Sequence, residues 1–317
     1  MSNSATDSLS GKIVTVLGGS GFFGTHLAQE LLARGARLRI ASRNPERAFR
    51  IKPLGNLGQV QFARCDVTRP ETVAPVLAGS DAVVNLVGAF DGNLDAVQGD
   101  GVGEIARLAL GAGVKDFVHV SAIGADAESQ AAYARTKAEG EAAVREAFPG
   151  ATILRPSLLF GPDDNFIMMF AGLIATFPVL PVFAADAKLQ PLFVDDAAEA
   201  VANVLANPGA LAGKTYELGG PEVITMLDLN ERIAKAQGRN RAFIELPDQI
   251  SQVIAFLPLT PISSDQFALL RKGNVVSKGT PGFAELGIAP RPLGLFLDRW
   301  MVRFRKQGRF GANAPAS

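Results

Sequence analysis

The sequence contains a single cysteine, Cys65, and only two histidines. One cysteine cannot form a disulfide within the chain, and so few thiols and imidazoles predict no metal site. We interpret the chain as a cytoplasmic protein of a reducing compartment. Basic and acidic residues number 31 each. Because no overall positive charge attracts nucleic acid, no nucleic-acid partner is predicted.

The sequence also has little that is typical of a signal or a membrane span. Residues 1–10 are polar and small, without the apolar core of a secretory signal, and predict a flexible leader. Residues 166–185 are uncharged and about as long as the roughly 20 residues of a span. Pro178 and Pro181 would break such a helix. We predict a buried helix followed by an apolar loop.

Apolar, strand-like runs alternate with helical stretches along the first half of the chain. This alternation predicts α/β architecture: a Rossmann-type doubly wound parallel sheet with a smaller C-terminal α/β lobe. We predict a nucleotide-binding domain at 11–165, a substrate or partner lobe at 166–290 whose segment 192–217 returns to the main sheet, and a basic amphipathic segment at 291–317. The predicted strands of the first domain are 12–17, 38–42, 60–64, 82–87, 116–121 and 152–155.

A glycine-rich loop follows the first predicted strand directly and runs into a predicted helix. Glycines three apart let the backbone turn tightly and approach a pyrophosphate, while the helix N-terminus offers free N–H groups. The alternative is a tight strand-to-helix turn without a ligand. The agreement of strand, loop and helix favours a dinucleotide site. Its predicted contacts are Gly18, Ser20, Gly21, Phe22, Phe23 and Gly24.

The end of the second predicted strand is basic, with Arg43 where an NAD site usually places an acid. Arg43 can pair with the 2′-phosphate of NADP, helped by the Ser42 hydroxyl and by Arg47. The alternative is a solvated arginine at the start of a loop. We predict that NADP(H) is preferred and that NAD(H) is also compatible. The remaining predicted lining lies at the ends of later strands: Asp66 and Val67, then Leu86, Val87 and Gly88, and finally Pro156.

Tyr133 and Lys137 lie one helical turn apart, so both side chains share one helix face. An ammonium group beside a tyrosine favours the phenolate, which predicts a lowered pKa for Tyr133 and a role as proton donor or acceptor. Lys137 can also bond the nicotinamide ribose. Ser121, at the end of the fifth strand, is the third candidate. It either polarises a substrate carbonyl or lines the cofactor and caps the loop.

Several further motifs accompany the glycine loop and the Tyr133/Lys137 pair. Together these motifs resemble the extended or atypical short-chain dehydrogenases/reductases over residues 12–238. Within them the chain is most similar to the group of the nucleotide-binding accessory subunit of respiratory complex I and its bacterial relatives. The motifs are His119-Val120-Ser121, Leu154-Arg155-Pro156, Phe160-Gly161-Pro162, 147–150 and 191–196.

The resemblance implies a bound NADPH, retention of the Tyr133/Lys137 pair, loss of the full catalytic tetrad, and links to quinones and respiratory-complex subunits. Ile123 stands where an epimerase would have a catalytic serine or threonine. The first hypothesis is therefore a hydride-transfer oxidoreductase acting on an apolar small molecule or quinone. The second is a structural, non-catalytic nucleotide-binding subunit. The third is a nucleoside-diphosphate-sugar epimerase or dehydratase.

The C-terminal segment 291–310 alternates basic and apolar residues at helical spacing. Such a segment either lies peripherally on the inner face of a membrane, with basic residues toward anionic headgroups, or packs on the protein core. The basic residues are Arg299, Arg303, Arg305, Lys306 and Arg309, and the apolar ones are Leu293, Leu297, Trp300, Met301 and Phe304.

Overall fold

A computed structural model of the chain describes residues 8–247, 264–306 and 308. The described residues form two compact units. The first comprises 8–156, 194–218 and 276–289. The second comprises the described parts of 157–193, 219–275 and 290–317. The first continuous segment of the first unit ends at 156, and the sequence predicts a boundary at 165. This unit also includes 194–218, close to the predicted returning segment 192–217, and 276–289, which the sequence places in the lobe.

The strands, in chain order, are β1 (Ile13–Leu17), β2 (Arg37–Ser42), β3 (Val60–Arg64), β4 (Ala82–Asn85), β5 (Asp116–Val120), β6 (Thr152–Pro156), β7 (Leu159–Phe160), β8 (Val179–Val182), β9 (Lys188–Leu189), β10 (Leu192–Phe193), β11 (Thr215–Leu218), β12 (Ile224–Thr225) and β13 (Ala242–Glu245).

The α-helices are α1 (Phe22–Ala33), α2 (Pro70–Leu77), α3 (Leu94–Gln98), α4 (Asp100–Gly111), α5 (Ala132–Ala147), α6 (Phe166–Thr176), α7 (Val194–Ala206), α8 (Pro208–Leu211), α9 (Met226–Ala236), α10 (Ser264–Lys272) and α11 (Gly294–Met301). The segments Pro45–Leu54 and Val302–Phe304 are 3-10 helices.

A seven-stranded parallel sheet in the order β11-β6-β5-β4-β1-β2-β3 forms the centre of the first unit. Val14, Val16 and Leu17 of β1 are fully buried, as expected for a strand covered on both faces. Helices α1 and α7 pack together, as do α4 and α5. The predicted Rossmann-type doubly wound fold is confirmed.

Glycines allow helix α5 to approach its neighbours closely. A Cβ at Gly140 would lie 2.1 Å from the carbonyl oxygen of Gln98, and one at Gly103 would lie 2.7 Å from the Cβ of Ala143. Neither position tolerates a side chain without displacing backbone. This close packing fixes the position of α5, which carries the predicted tyrosine and lysine.

The N-terminal leader is packed where the structure describes it. Leu9 is fully buried, and its backbone N–H donates to the carbonyl of Arg34. Residues 1–7 of the predicted leader lie outside the described residues. The buried Leu9 side chain joins residues 8–10 to the first unit.

The second unit contains three two-stranded pairings, namely β10 with β7, β12 with β9 and β13 with β8. The apolar stretch 166–185 forms α6, which ends before Pro178, and then β8 in place of the predicted loop. In the part of the chain that the structure describes, no helix is long and apolar enough to cross a membrane.

The C-terminal helix α11 packs its apolar side inside the second unit. Leu293, Leu297 and Met301 are buried. Trp300 stacks on Phe296 with ring centroids 5.0 Å apart. These side chains therefore contact protein, as the core-packing alternative predicts, and contact of 291–310 with a membrane stays a prediction. The end of this segment, 307 and 309–317, lies outside the described residues.

Candidate nucleotide and catalytic site

The glycine loop brings backbone N–H groups to the carboxyl end of β1. Gly18 has a φ of +77°, which favours glycine, and a Cβ there would lie 3.1 Å from Cγ2 of Val87. A Cβ at Gly24 would lie 2.5 Å from the Cα of Gly19. Helix α1 begins at Phe22, directly after Gly21, which has no side chain to cap it. The first-turn N–H groups can therefore donate hydrogen bonds to a phosphate.

Side chains that suit the adenosine end of a dinucleotide meet at the ends of β2 and β3. The Ser42 hydroxyl is buried and has no hydrogen-bond partner among the described residues. Arg43 is exposed beside it. The pKa of Asp66 is lowered, chiefly by a hydrogen bond from the Thr68 hydroxyl and also by the positive charge of Arg43. The positive charge of Arg43 therefore favours the ionised form of the Asp66 carboxyl.

The chain after β4 passes close to the predicted lysine. Val87 donates its N–H to Oδ1 of Asn85 at 3.1 Å. A Cβ at Gly88 would lie 3.2 Å from Nζ of Lys137. Leu86 and Val87 are half-buried, while Pro156, at the end of β6, is buried and accepts a hydrogen bond from Ile123 N–H. The structure thus joins Val87, Gly88 and Lys137 in one region.

Helix α5 places Lys137 in the interior and Tyr133 at its edge. Lys137 Nζ donates to the carbonyl of Val120 at 3.2 Å and lies 5.9 Å from the centroid of the Tyr133 ring. Phe90 stacks on that ring at 4.5 Å between centroids. Since Val120 ends β5, the lysine is fixed at the carboxyl edge of the sheet.

Burial is the largest cause of the pKa shifts of both Tyr133 and Lys137, and the ammonium group of Lys137 does not lower the pKa of Tyr133. Desolvation raises the pKa of Tyr133 to about 12. Desolvation also lowers the pKa of Lys137 to about 8, against the opposite effect of Glu141. The expectation that Lys137 lowers the pKa of Tyr133 is therefore corrected, because removing water from both groups penalises their charged forms.

Ser121 follows Val120 directly and lies at the same end of β5. It is buried, and its hydroxyl has no hydrogen-bond partner among the described residues. Buried hydroxyl groups normally bond to protein or water. This group is therefore available to a polar atom of a ligand bound beside Lys137.

Sequence reasoning missed two buried polar residues near Lys137. His119 lies on β5, and burial, with a smaller contribution from the Lys137 charge, lowers its pKa to about 3. Gln98 accepts from Ala89 N–H and donates to the Thr136 hydroxyl, both at 3.0 Å. His119 is part of the His119-Val120-Ser121 motif, and its place two residues before Ser121 puts both on the same strand face, but the sequence gave it no role in the site. No pattern in the sequence indicates that Gln98 lies near the site.

Within residues 8–247, 264–306 and 308, no three histidine, cysteine or carboxylate side chains are grouped so that they could hold a metal ion.

Comparison with known proteins places this site in a family. The sequence model of the NAD dependent epimerase/dehydratase family matches residues 14–219. The match spans more than half of the chain, from β1 past the end of β11, and includes the glycine loop and the Tyr133/Lys137 pair. The chain belongs to this family.

Two individual proteins are similar to this chain over most of its length. The chain is 31% identical to subunit 9 of the NADH dehydrogenase [ubiquinone] 1 alpha subcomplex of Arabidopsis thaliana, over 96% of this chain and 81% of that protein. It is 28% identical to a ceramide reductase of Caulobacter vibrioides, over 74% of each. The first similarity covers almost all of this chain, and the second covers about three quarters of it.

Solved structures share the fold. An NADPH-dependent quinone oxidoreductase of Escherichia coli, complexed with NADPH, has a TM-score of 0.73 and 19% identity, and the match covers 90% of this chain and 99% of that one. At this identity the likeness shows the fold alone. The fold is that of nicotinamide-dinucleotide-binding epimerases and reductases.

Proposed function

We propose that the chain binds NADP(H) in preference to NAD(H) and reduces an apolar small molecule, such as a quinone, by hydride transfer. The observation that carries the proposal is the buried Lys137 beside Tyr133 at the end of β5, next to a Ser121 hydroxyl that has no partner among the described residues. One relative supports it, since it is named a ceramide reductase.

The residues present fit a dinucleotide. The loop from Gly18 to Gly24 would hold the pyrophosphate, and the Ser42 hydroxyl with Arg43 would hold the 2′-phosphate. Val87 and Gly88 would line the nicotinamide ribose, which Lys137 would bond. The Ser42 hydroxyl supports this fit, because it is buried and has no hydrogen-bond partner among the described residues. Since buried hydroxyl groups normally form hydrogen bonds, a bound phosphate would provide the missing partner.

The bound cofactor supplies a hydride, and the side chains of the chain supply the rest of the chemistry. Tyr133 keeps its proton at neutral pH because burial raises its pKa to about 12. It therefore suits the role of an acid that protonates the oxygen of the reduced carbonyl. The Ser121 hydroxyl would donate a hydrogen bond to that oxygen as negative charge develops on it. The Lys137 ammonium would favour the phenolate that remains.

The decisive experiment is anaerobic oxidation of NADPH by the purified protein, followed by nucleotide absorbance, with a panel of quinones, ketones and aldehydes. Transfer of deuterium from labelled NADPH to the product would establish hydride transfer. Tight nucleotide binding without turnover of any acceptor would overturn the catalytic part of the proposal.

A second function is favoured by the similarity to a complex I subunit: a structural subunit that holds its nucleotide permanently. Such a protein would be held at the inner face of the membrane by respiratory-complex subunits, because the apolar side of α11 is already packed inside the second unit. Co-purification with those subunits, with bound nucleotide and no turnover, would support this function. Sugar-nucleotide epimerisation is not proposed, because Ile123 replaces the required hydroxyl.

Arg43→Ala is expected to weaken NADPH binding by about 10-fold or more and to leave NADH binding nearly unchanged, because only NADPH carries the 2′-phosphate. Calorimetry with both nucleotides measures the two affinities. Arg107→Ala is the control, since Arg107 is an exposed arginine of α4 that pairs with Glu104. Tighter binding of NADH than of NADPH by the unmodified protein would show that Arg43 does not recognise phosphate.

A further inference from the structure

Helix α5 carries a third ionisable residue in line with the tyrosine and the lysine. Tyr133, Lys137 and Glu141 are spaced four residues apart and so share one helix face. The Glu141 side chain is only 6% exposed. The candidate site described above gives Glu141 no role, yet its negative charge favours the ammonium form of Lys137.

An arginine of the neighbouring strand β6 fixes the Glu141 carboxylate. Arg155 donates from Nε to Oε1 at 2.8 Å and from Nη2 to Oε2 at 2.7 Å. Such two-point contacts hold a carboxylate in one orientation. Arg155 also donates from Nη1 to Glu217 of β11 at 3.4 Å, and the second oxygen of Glu217 accepts from the backbone N–H of Ser277 at 2.6 Å.

The three side chains joined by these contacts carry one net negative charge, since Glu141 and Glu217 contribute two negative charges and Arg155 contributes one positive charge. Lys137 lies one helical turn from Glu141 on the same helix face. Because opposite charges attract more strongly where water is excluded, the Glu141 carboxylate favours the ammonium form of Lys137.

Among the described residues, the other groups named around Lys137 do not supply a negative charge. The Val120 carbonyl accepts its hydrogen bond, and Tyr133 is protonated at neutral pH, since burial raises its pKa to about 12. His119 of β5 is neutral, because burial lowers its pKa to about 3. The His119 ring nitrogen Nδ1 lies 3.3 Å from Nδ2 of Asn85. Glu141 is thus the anion that acts on Lys137.

From this geometry we infer that Glu141, clamped by Arg155, is a positioning residue that keeps Lys137 in its ammonium form in the candidate nucleotide site. The inference rests on the proposed function for its consequence, which is that a lysine kept charged remains a hydrogen-bond donor to the bound nucleotide. The ionisation of Lys137 itself can be measured without any nucleotide.

The test compares Glu141→Gln with Glu217→Gln. Both variants remove one carboxylate from Arg155, but only Glu141 acts on Lys137. The titration midpoint of Lys137 is measured in the unliganded protein by NMR of lysine labelled with ¹³C at Cε, and the signal is assigned with Lys137→Arg. We expect Glu141→Gln to lower the midpoint by about one pH unit or more, and Glu217→Gln to change it by a few tenths at most.

The pH at which NADPH affinity falls should shift in the same direction as the titration midpoint of Lys137. In the unmodified protein the affinity should fall as pH passes about 8, the pKa to which burial lowers Lys137. In Glu141→Gln the fall should begin at lower pH. Glu141→Asp, which keeps the charge, should restore the midpoint.

An unchanged Lys137 midpoint in Glu141→Gln would overturn the inference. An equal shift in both glutamine variants would also overturn it, because it would mean that losing either contact with Arg155 changes the packing around Lys137. If Glu141→Gln does not fold, the unmodified protein decides, because a Lys137 midpoint below about pH 7 would show that the ammonium form is not maintained. Absence of turnover or of NADPH binding would overturn the proposed function and leave the unliganded titration as a separate result.

Discussion

Tyr133→Phe is expected to lower turnover at least about 100-fold while changing the affinity for NADPH by less than about 2-fold. In the proposed reaction the phenol supplies the proton that completes the reduced product, and the phenylalanine side chain has no such proton. The ring itself should stay in place, because its stacking on Phe90, at 4.5 Å between centroids, does not involve the hydroxyl. The substitution therefore separates chemistry from nucleotide binding.

Steady-state kinetics with the best acceptor, together with calorimetric NADPH binding, measures both effects. Tyr216→Phe is the matched control, because Tyr216 is the only other tyrosine and its hydroxyl donates to the carbonyl of Leu211 at 2.8 Å. Loss of that hydrogen bond should lower the free energy of unfolding by about 1 kcal/mol and leave turnover intact. Equal turnover by Tyr133→Phe and the unmodified protein would rule out Tyr133 as the acid.

The protonation state of Tyr133 at neutral pH suits the proposed reduction better than the reverse oxidation. Burial raises its pKa to about 12, so the protonated form predominates across the physiological range. A group that holds its proton is ready to act as an acid, which suits reduction of a carbonyl. Oxidation of an alcohol would need the phenolate and should accelerate as pH rises.

Much of the fold could be predicted because it depends on patterns that are local in the sequence. The alternation of strand and helix and the glycine loop predicted the parallel sheet, and β3 has the predicted bounds, 60–64. The fourth strand is shorter than predicted and ends at Asn85, since the chain leaves the sheet where it passes Lys137. The inclusion of 276–289 in the first unit depends on contacts distant in sequence, such as Glu217 N–H with the Pro281 carbonyl.

The candidate site was predictable where spacing alone places side chains. A separation of four residues puts Tyr133 and Lys137 on one helix face whatever surrounds them. Their ionisation was not predictable, because desolvation depends on elements that pack around α5 and not on the spacing within it. The contact of Arg155 with Glu141 and Glu217 joins three separate elements, and no local pattern indicates it.

Arg155→Met is expected to lower the free energy of unfolding by about 3–5 kcal/mol, because it leaves two buried carboxylates without their shared cation. The Glu141 and Glu217 side chains are only 6% and 5% exposed, so water cannot replace the guanidinium. Methionine is similar in length and apolar, which limits the loss of packing. The expected loss is therefore mainly electrostatic.

Urea denaturation of the unmodified protein and of Arg155→Met, near pH 5 and near pH 8, measures this loss. The deficit should be larger at the higher pH, because acid allows the stranded carboxylates to take up protons and so removes their charge. Adding Glu141→Gln and Glu217→Gln to Arg155→Met should recover much of the stability, since it removes the two buried carboxylate charges that Arg155 paired. A deficit that does not depend on pH and persists in the triple variant would mean that Arg155 stabilises the unit through packing and not through its charge.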